Sequence, residues 1–137
     1  MPIVTLLAAC DPQARGFSLP SGDAEQGRNA FVELGCRACH RVVDDETLGT
    51  INPEAGLQID LGGRTTRVKT YGDLVTSIIN PSHRISTIGP NTTDADGNST
   101  MLVYNDVMTV TQLIDLVTFL QESYEIYIPQ TQFPTYP

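Results

Sequence analysis

Gly35-Cys36-Arg37-Ala38-Cys39-His40 sets two thiols two residues apart and an imidazole directly behind the second. Upstream, Asp23 followed by Gln26 has capping-box spacing, and Phe31 and Leu34 share a helical face. A helix is therefore predicted from about Ser21–Asp23 to Leu34, with Gly35 turning the chain into the thiol pair. Downstream, Thr70 is a candidate cap for a helix over Tyr71 to Ile79. Asp73 lies in its first turn, Leu74 and Ile78 are four apart, and Asn80-Pro81 closes it. Thr109 and Gln112 repeat the box spacing, and Leu113, Leu116, Val117 and Leu120 form an i, i+3, i+4, i+7 stripe that ends near Glu122 to Glu125. No sustained alternation argues for a sheet, so the expected class is all-α: three or more short helices and long loops. About thirty residues separate successive helices. Connections beyond roughly 12–15 residues are uncommon unless something other than secondary structure organises them.

Cys-x-x-Cys-His reads as a c-type haem attachment site. Thiols at this spacing can each form a thioether to the vinyl-derived carbons on one edge of a porphyrin. The adjacent His40 is then held under the iron, with Nε2 as ligand and Nδ1 donating to a backbone carbonyl that fixes the tautomer. One covalent haem c would supply a large, flat, apolar body around which the long loops could close. Three other readings compete. A thioredoxin-like pair needs a preceding strand, and here a capped helix precedes it. A zinc site needs further ligands, but Cys10 falls on a linker and His83 is the only other histidine. The third is chance occurrence in an unrelated fold.

The opposite axial position decides the iron's behaviour. Met101, Met108 and His83 are its candidates. Met108 directly precedes the cap Thr109, where a flexible apolar side chain commonly fills core space. Met101 follows the long polar loop from Gly89-Pro90 to Thr100, which can bring a thioether over a haem face. His83 follows the Pro81-Ser82 turn.

Gly27, Phe31, the Cys36-x-x-Cys39-His40 motif, a methionine followed by a short acidic segment, and a final amphipathic helix together resemble a small class I mono-haem cytochrome c. The likeness spans roughly residues 23 to 123. It implies a cytochrome c-like fold, Met101 as the distal ligand, and Gly27 and Phe31 as the close contact of the first helix with the last. The sequence departs from that pattern after His40. The nearest proline turn is Asn52-Pro53, and Asp44, Asp45 and Glu46 occupy the loop, so the carbonyl partner of His40 is not given. Met101 also has Thr100 and Leu102 beside it where relatives often carry a proline.

The 137 residues are 40% hydrophobic, enough for one compact core. Eight basic residues against sixteen acidic give a net charge of -8, which excludes nucleic acid as a partner. No apolar run is long enough to span a bilayer. Residues 1–20 read as a truncated signal or lipobox-like segment and linker, in which Leu7-Ala8-Ala9-Cys10 makes Cys10 a lipidation candidate. Residues 21–123 form the haem domain, and 124–137 an extended aromatic and proline-rich tail. Four of the nine aromatic residues fall in that tail, which either packs back on its own domain or meets a partner or second copy. Arg64, Arg67 and Lys69 form the only basic cluster and are candidates for haem-propionate contact or docking; Tyr71 and Arg84 are weaker ones. Residues 85 to 137 hold six acids and no base. Asp94-x-Asp96-Gly97 lacks the spacing of a calcium loop and reads as a polar turn.

With His40 and a thioether on the iron, no substrate-turnover constellation appears. The expected function is one-electron transfer between periplasmic or membrane-bound redox proteins, not enzymatic turnover. Covalent haem and the lipobox imply the periplasmic side of a membrane. The alternatives are a cytochrome c subunit fixed within a larger respiratory or oxidoreductase complex, and a haem-based ligand sensor.

Overall fold

The computed structural model of the chain describes residues 19–49, 57–67, 69–86 and 91–128. Three helices form where capping and periodicity place them: α1 at Ala24–Glu33, α2 at Tyr71–Ile79 and α3 at Val110–Glu122. Complete capping boxes start two of them, Thr70 with Asp73 and Thr109 with Gln112. Helix α1 is capped differently. The Asp23 carboxylate accepts from the Glu25 and Gln26 N–H groups at 2.8 and 3.1 Å. The Asp23 N–H, which a full box would give to Gln26, instead donates to Asp115 of α3 at 2.8 Å. The cap thus joins the first helix to the last.

The all-α expectation is wrong. Among the described residues, four three-residue strands make two parallel pairs, and the chain is mixed α/β. β1 (His40–Val42) pairs with β2 (Ile59–Leu61), setting His40 against Ile59. β3 (Gly63–Thr65) pairs with β4 (Tyr124–Ile126), setting Gly63 against Tyr124. Three residues are too few to display a period of two, and each partner lies far away in sequence, so no local pattern announces them. The pairing satisfies backbone groups of the long connections as they pass the core. Part of the organisation that loop length demands therefore comes from these ladders. Gly62 and Gly63, with φ of 85° and 73°, make the left-handed joint between β2 and β3. The Gly63 N–H donates to the Ser123 carbonyl at 2.7 Å.

The core gathers Phe31 of α1, Val42, Leu48, Leu74, Val75 and Ile78 of α2, and five residues of α3. Those five are the predicted stripe Leu113, Leu116, Val117 and Leu120, together with Phe119. α1 and α3 make the most extensive helix–helix contact. A Cβ placed on Gly27 would overlap the Asp115 carbonyl oxygen and lie 2.8 Å from Phe119 Cβ. One turn on, the Phe31 and Phe119 rings meet edge to face, 6.0 Å apart. The Gly27 and Phe31 contact implied by the resemblance is thus present. Leu19 also packs against this core, and Tyr124, where the tail begins, does too.

Cys10 and the lipobox, Asn52-Pro53 and tail residues 129–137 lie outside the described residues. No helix among the described residues is long and apolar enough to cross a membrane.

The crossing is testable. Gly27→Ala should lower unfolding free energy by about 3 kcal/mol, the upper end of overpacking. Gly72→Ala in α2, whose Cβ would meet nothing closer than 4.0 Å, should raise it by up to about 1 kcal/mol through helix propensity. Denaturant melts of the two variants read both signs.

Candidate functional site

Helix α1 delivers the motif. Its last turn closes on Leu34, and Gly35 adopts a left-handed φ of 72°, reversing the chain into a short 3-10 turn over Cys36–Ala38. Ala38 N–H donates to the Gly35 carbonyl and Cys39 N–H to the Cys36 carbonyl, at 3.0 and 3.2 Å. The chain then straightens into β1, whose first residue is His40. Ile59 N–H donates to the Cys39 carbonyl at 2.8 Å, so β2 holds the exit of the motif. Helix end, turn and strand start thereby fix all three side chains within five residues.

Cys36 and His40 face an apolar cavity that opens to solvent. All three helices wall it: Phe31 and Leu34 from α1, Leu74 and Ile78 from α2, and Leu116 and Leu120 from α3. Leu61 of β2 and Ser77 of α2 complete those sides. Its remaining wall is the loop before α3, which contributes Met101, Tyr104 and Met108. Carbon and sulfur atoms dominate this lining.

That loop is held at several points. Ser99 N–H donates to Ser82 Oγ at 3.1 Å, and Thr100 Oγ1 to the Asn91 carbonyl at 2.8 Å. Asn105 Nδ2 donates to the Ile79 carbonyl at the end of α2, 3.0 Å away. The Tyr104 carbonyl accepts from the Val107 and Met108 N–H groups, a turn that returns Met108 toward the cavity. Both methionines therefore reach the space that His40 faces. The acidic segment before them is the polar turn expected, with the Asp94 carboxylate accepting from the Asp96 and Asn98 N–H groups.

Burial governs the electrostatics here. It pushes the Cys36 thiol up to about 11, so the sulfur stays protonated. Burial likewise drives His40 below the usual imidazole range, partly opposed by the Ile59 backbone beside the ring. The neutral ring carries the lone pair that metal ligation requires. His40 Nδ1 is buried and no acceptor meets it in hydrogen-bond geometry. Tyr104 is pushed up by burial first and then by the neighbouring Cys36 and Cys39. Cys36 and Cys39 are both free thiols, each half-buried.

Other candidates stand apart from the cavity. His83 is exposed at the end of a short 3-10 turn, its Nδ1 donating to the Asn80 carbonyl at 2.9 Å. Arg64, Arg67 and Lys69 are exposed and line no part of it. Arg64 instead lies over the Tyr127 ring, 4.3 Å from its centroid. Arg84 sits 3.9 Å from Asp73, and Tyr71 buries its hydroxyl without a partner. Sequence reasoning passed over Tyr104, although an aromatic between two methionines of one loop was a usable signal. It also passed over Arg37, whose Nη1 donates to the Leu48 carbonyl at 2.9 Å and ties the motif to the loop after β1. Nothing in the side-chain pattern could have pointed to the Ile59 backbone.

Among the described residues, no three or more His, Cys, Asp or Glu gather as a metal-binding cluster. The zinc reading of the motif finds no further ligands among the described residues. No family model, curated protein or solved structure matches the chain.

The loop after β1 is also fixed to α1. Arg28 Nε donates to Asp45 at 2.7 Å and Arg28 Nη2 to Thr47 Oγ1 at 2.6 Å. The Arg28 guanidinium, then Thr47, hold the Asp45 carboxyl down at about 2. A carboxyl lowered on folding stabilises the fold above its unfolded value near 3.8, and that contribution fades as pH falls toward 2. Asp45→Asn should therefore reduce stability at pH 7 and flatten its decline between pH 4 and 2, read by denaturant melts across that interval.

Proposed function

We propose that this chain is a mono-haem electron carrier, with one haem c attached through Cys36 and Cys39 and held by His40 on one side and Met101 on the other. The observation that carries this reading is the convergence on one apolar cavity of Cys36 and His40, from the end of α1, with two thioethers some sixty positions later. A zinc or dithiol site has no use for an apolar lining of this kind, whereas the flat apolar body of a porphyrin is suited to one. A ligating imidazole normally gives its Nδ1 hydrogen to a second group, and His40 Nδ1 is buried with that bond still to be made. The nearby Ile59 backbone is the one available to take it. When bound, the haem supplies a reversible one-electron change at iron.

Everything else falls to the chain. The Cys36-to-Cys39 turn presents two sulfurs for attachment, on a backbone braced by Gly35 and Ile59. The walls from α1, α2 and α3 set apolar side chains around the cavity, and a low-dielectric surround shifts potential and ligand strength together. Met101, arriving on a loop pinned at Ser82 and Ile79, adds a thioether that favours the reduced state relative to a second imidazole. The resemblance to class I mono-haem cytochromes c belongs to this proposal and rests on the motif and the cavity. So does a location on the periplasmic side of a membrane, with Cys10 as an anchor and redox proteins as partners.

Spectra of the matured protein test it. The reduced wild type should show the absorption of a six-coordinate haem c and should not bind carbon monoxide. Met101→Ala should bind it and lose the red charge-transfer band of a thioether on ferric iron; Met108→Ala should keep the wild-type behaviour. The reverse pattern would transfer the ligand role to Met108. Carbon monoxide binding by the wild type would contradict the electron-carrier reading.

A further inference from the structure

The loop that brings Met101, Tyr104 and Met108 to the cavity turns several of its apolar side chains outward. Leu102, Val103, Val107 and Val110 are 69%, 63%, 69% and 65% exposed. Four large aliphatic side chains within nine residues, all more than half in water, concentrate exposed apolar surface on one short segment, as interaction sites do. It continues onto α2. Asn105 bonds the Ile79 carbonyl, and Ile79, Met108 and Val110 line one shallow groove beside the cavity. The loop is tightly anchored, so this face is presented on a fixed scaffold.

Charge says what kind of surface covers it. Asp106 is exposed inside the patch, and the polar turn leading to it carries exposed Asp94 and Asp96. Residues 85 to 128 contain no Lys or Arg. The nearest base along the chain, Arg84, faces Asp73. The basic cluster lies elsewhere: Arg64 sits on β3, which pairs with β4 just past the C-terminal end of α3, whereas Val110 opens that helix. Thirteen residues of helix separate the two ends, about 20 Å at 1.5 Å per residue.

We infer that the patch of Leu102, Val103, Val107, Val110 and Ile79 docks a protein partner whose contact face is apolar at its centre and edged by Lys and Arg. This names the partner class for the site above and rests on that reading for its redox meaning, because the docked face would abut the loop carrying both methionines. The apolar centre excludes water and supplies affinity, while the acidic residues select a basic rim and speed encounter. A surface edged by carboxylates is rejected by the same charges.

The test uses the matured full chain and two helical peptides, one with a leucine stripe edged by lysines and one edged by glutamates. Calorimetric titration at low salt should show the lysine-edged peptide binding at least 10-fold more tightly. Val103→Lys combined with Val107→Lys should weaken that binding at least 10-fold, with an unchanged absorption spectrum and melt. Ile128→Lys, at the opposite end of α3, should leave it as in wild type. Equal binding of the two peptides, or binding indifferent to the double substitution, would overturn the inference. Patch-dependent binding to phosphatidylcholine vesicles as tight as to the lysine-edged peptide would also overturn it, assigning the face to lipid. Peptide binding does not depend on haem, so a chain that binds as stated but shows no haem absorption would sink the proposed function alone.

Discussion

Helix α1 lies on α3 with no side chain between them at Gly27, and the position of the motif follows from that contact. A Cβ there would overlap the Asp115 carbonyl. The backbones therefore approach closely there, and Phe31 reaches Phe119 one turn later. The same approach lets Asp115 complete the Asp23 cap. With both its start and its middle fixed to α3, α1 has one place to end. Gly35 turns there, and Cys36 and His40 face the cavity that α2, α3 and the methionine loop enclose.

The parts of this arrangement that local chemistry controls are visible in the sequence. Thr70 with Asp73 and Thr109 with Gln112 announce their helices because a capping box is written within four residues. The Leu113, Leu116, Val117 and Leu120 stripe announces its buried face for the same reason. The cysteine motif is equally local. The strands are different. His40 and Ile59 carry no joint signature, and Gly63 and Tyr124 sit about sixty positions apart. Their pairing reflects what the folded core leaves adjacent, not what either segment prefers. An all-α class is the natural reading of such a sequence and still the wrong one.

The candidate site divides along the same line. Cys36, Cys39 and His40 are legible because spacing is their chemistry. Met101 and Met108 are legible as thioethers, but composition does not say that both reach one cavity; the anchors at Ser82 and Ile79 decide it. Arg64, Arg67 and Lys69 look like a functional cluster in one dimension. In three, they lie on the exposed side of β3 and the connection after it, with Arg64 turned onto Tyr127. The tail is legible only as an oddity. Its aromatic content suggests packing, and Tyr124 does pack, but the parallel ladder to β3 is a product of the tertiary fold.

The central claim concerns a covalent bond, so mass is its most direct test. Full-length protein matured in a host with a haem c attachment system should be denatured, treated with a thiol-alkylating reagent and weighed intact. The account predicts a chain heavier by one haem, with Cys36 and Cys39 both closed to alkylation, and loss of the added mass when both are replaced by alanine. A chain at its bare polypeptide mass, alkylated at Cys36 and Cys39, would contradict it.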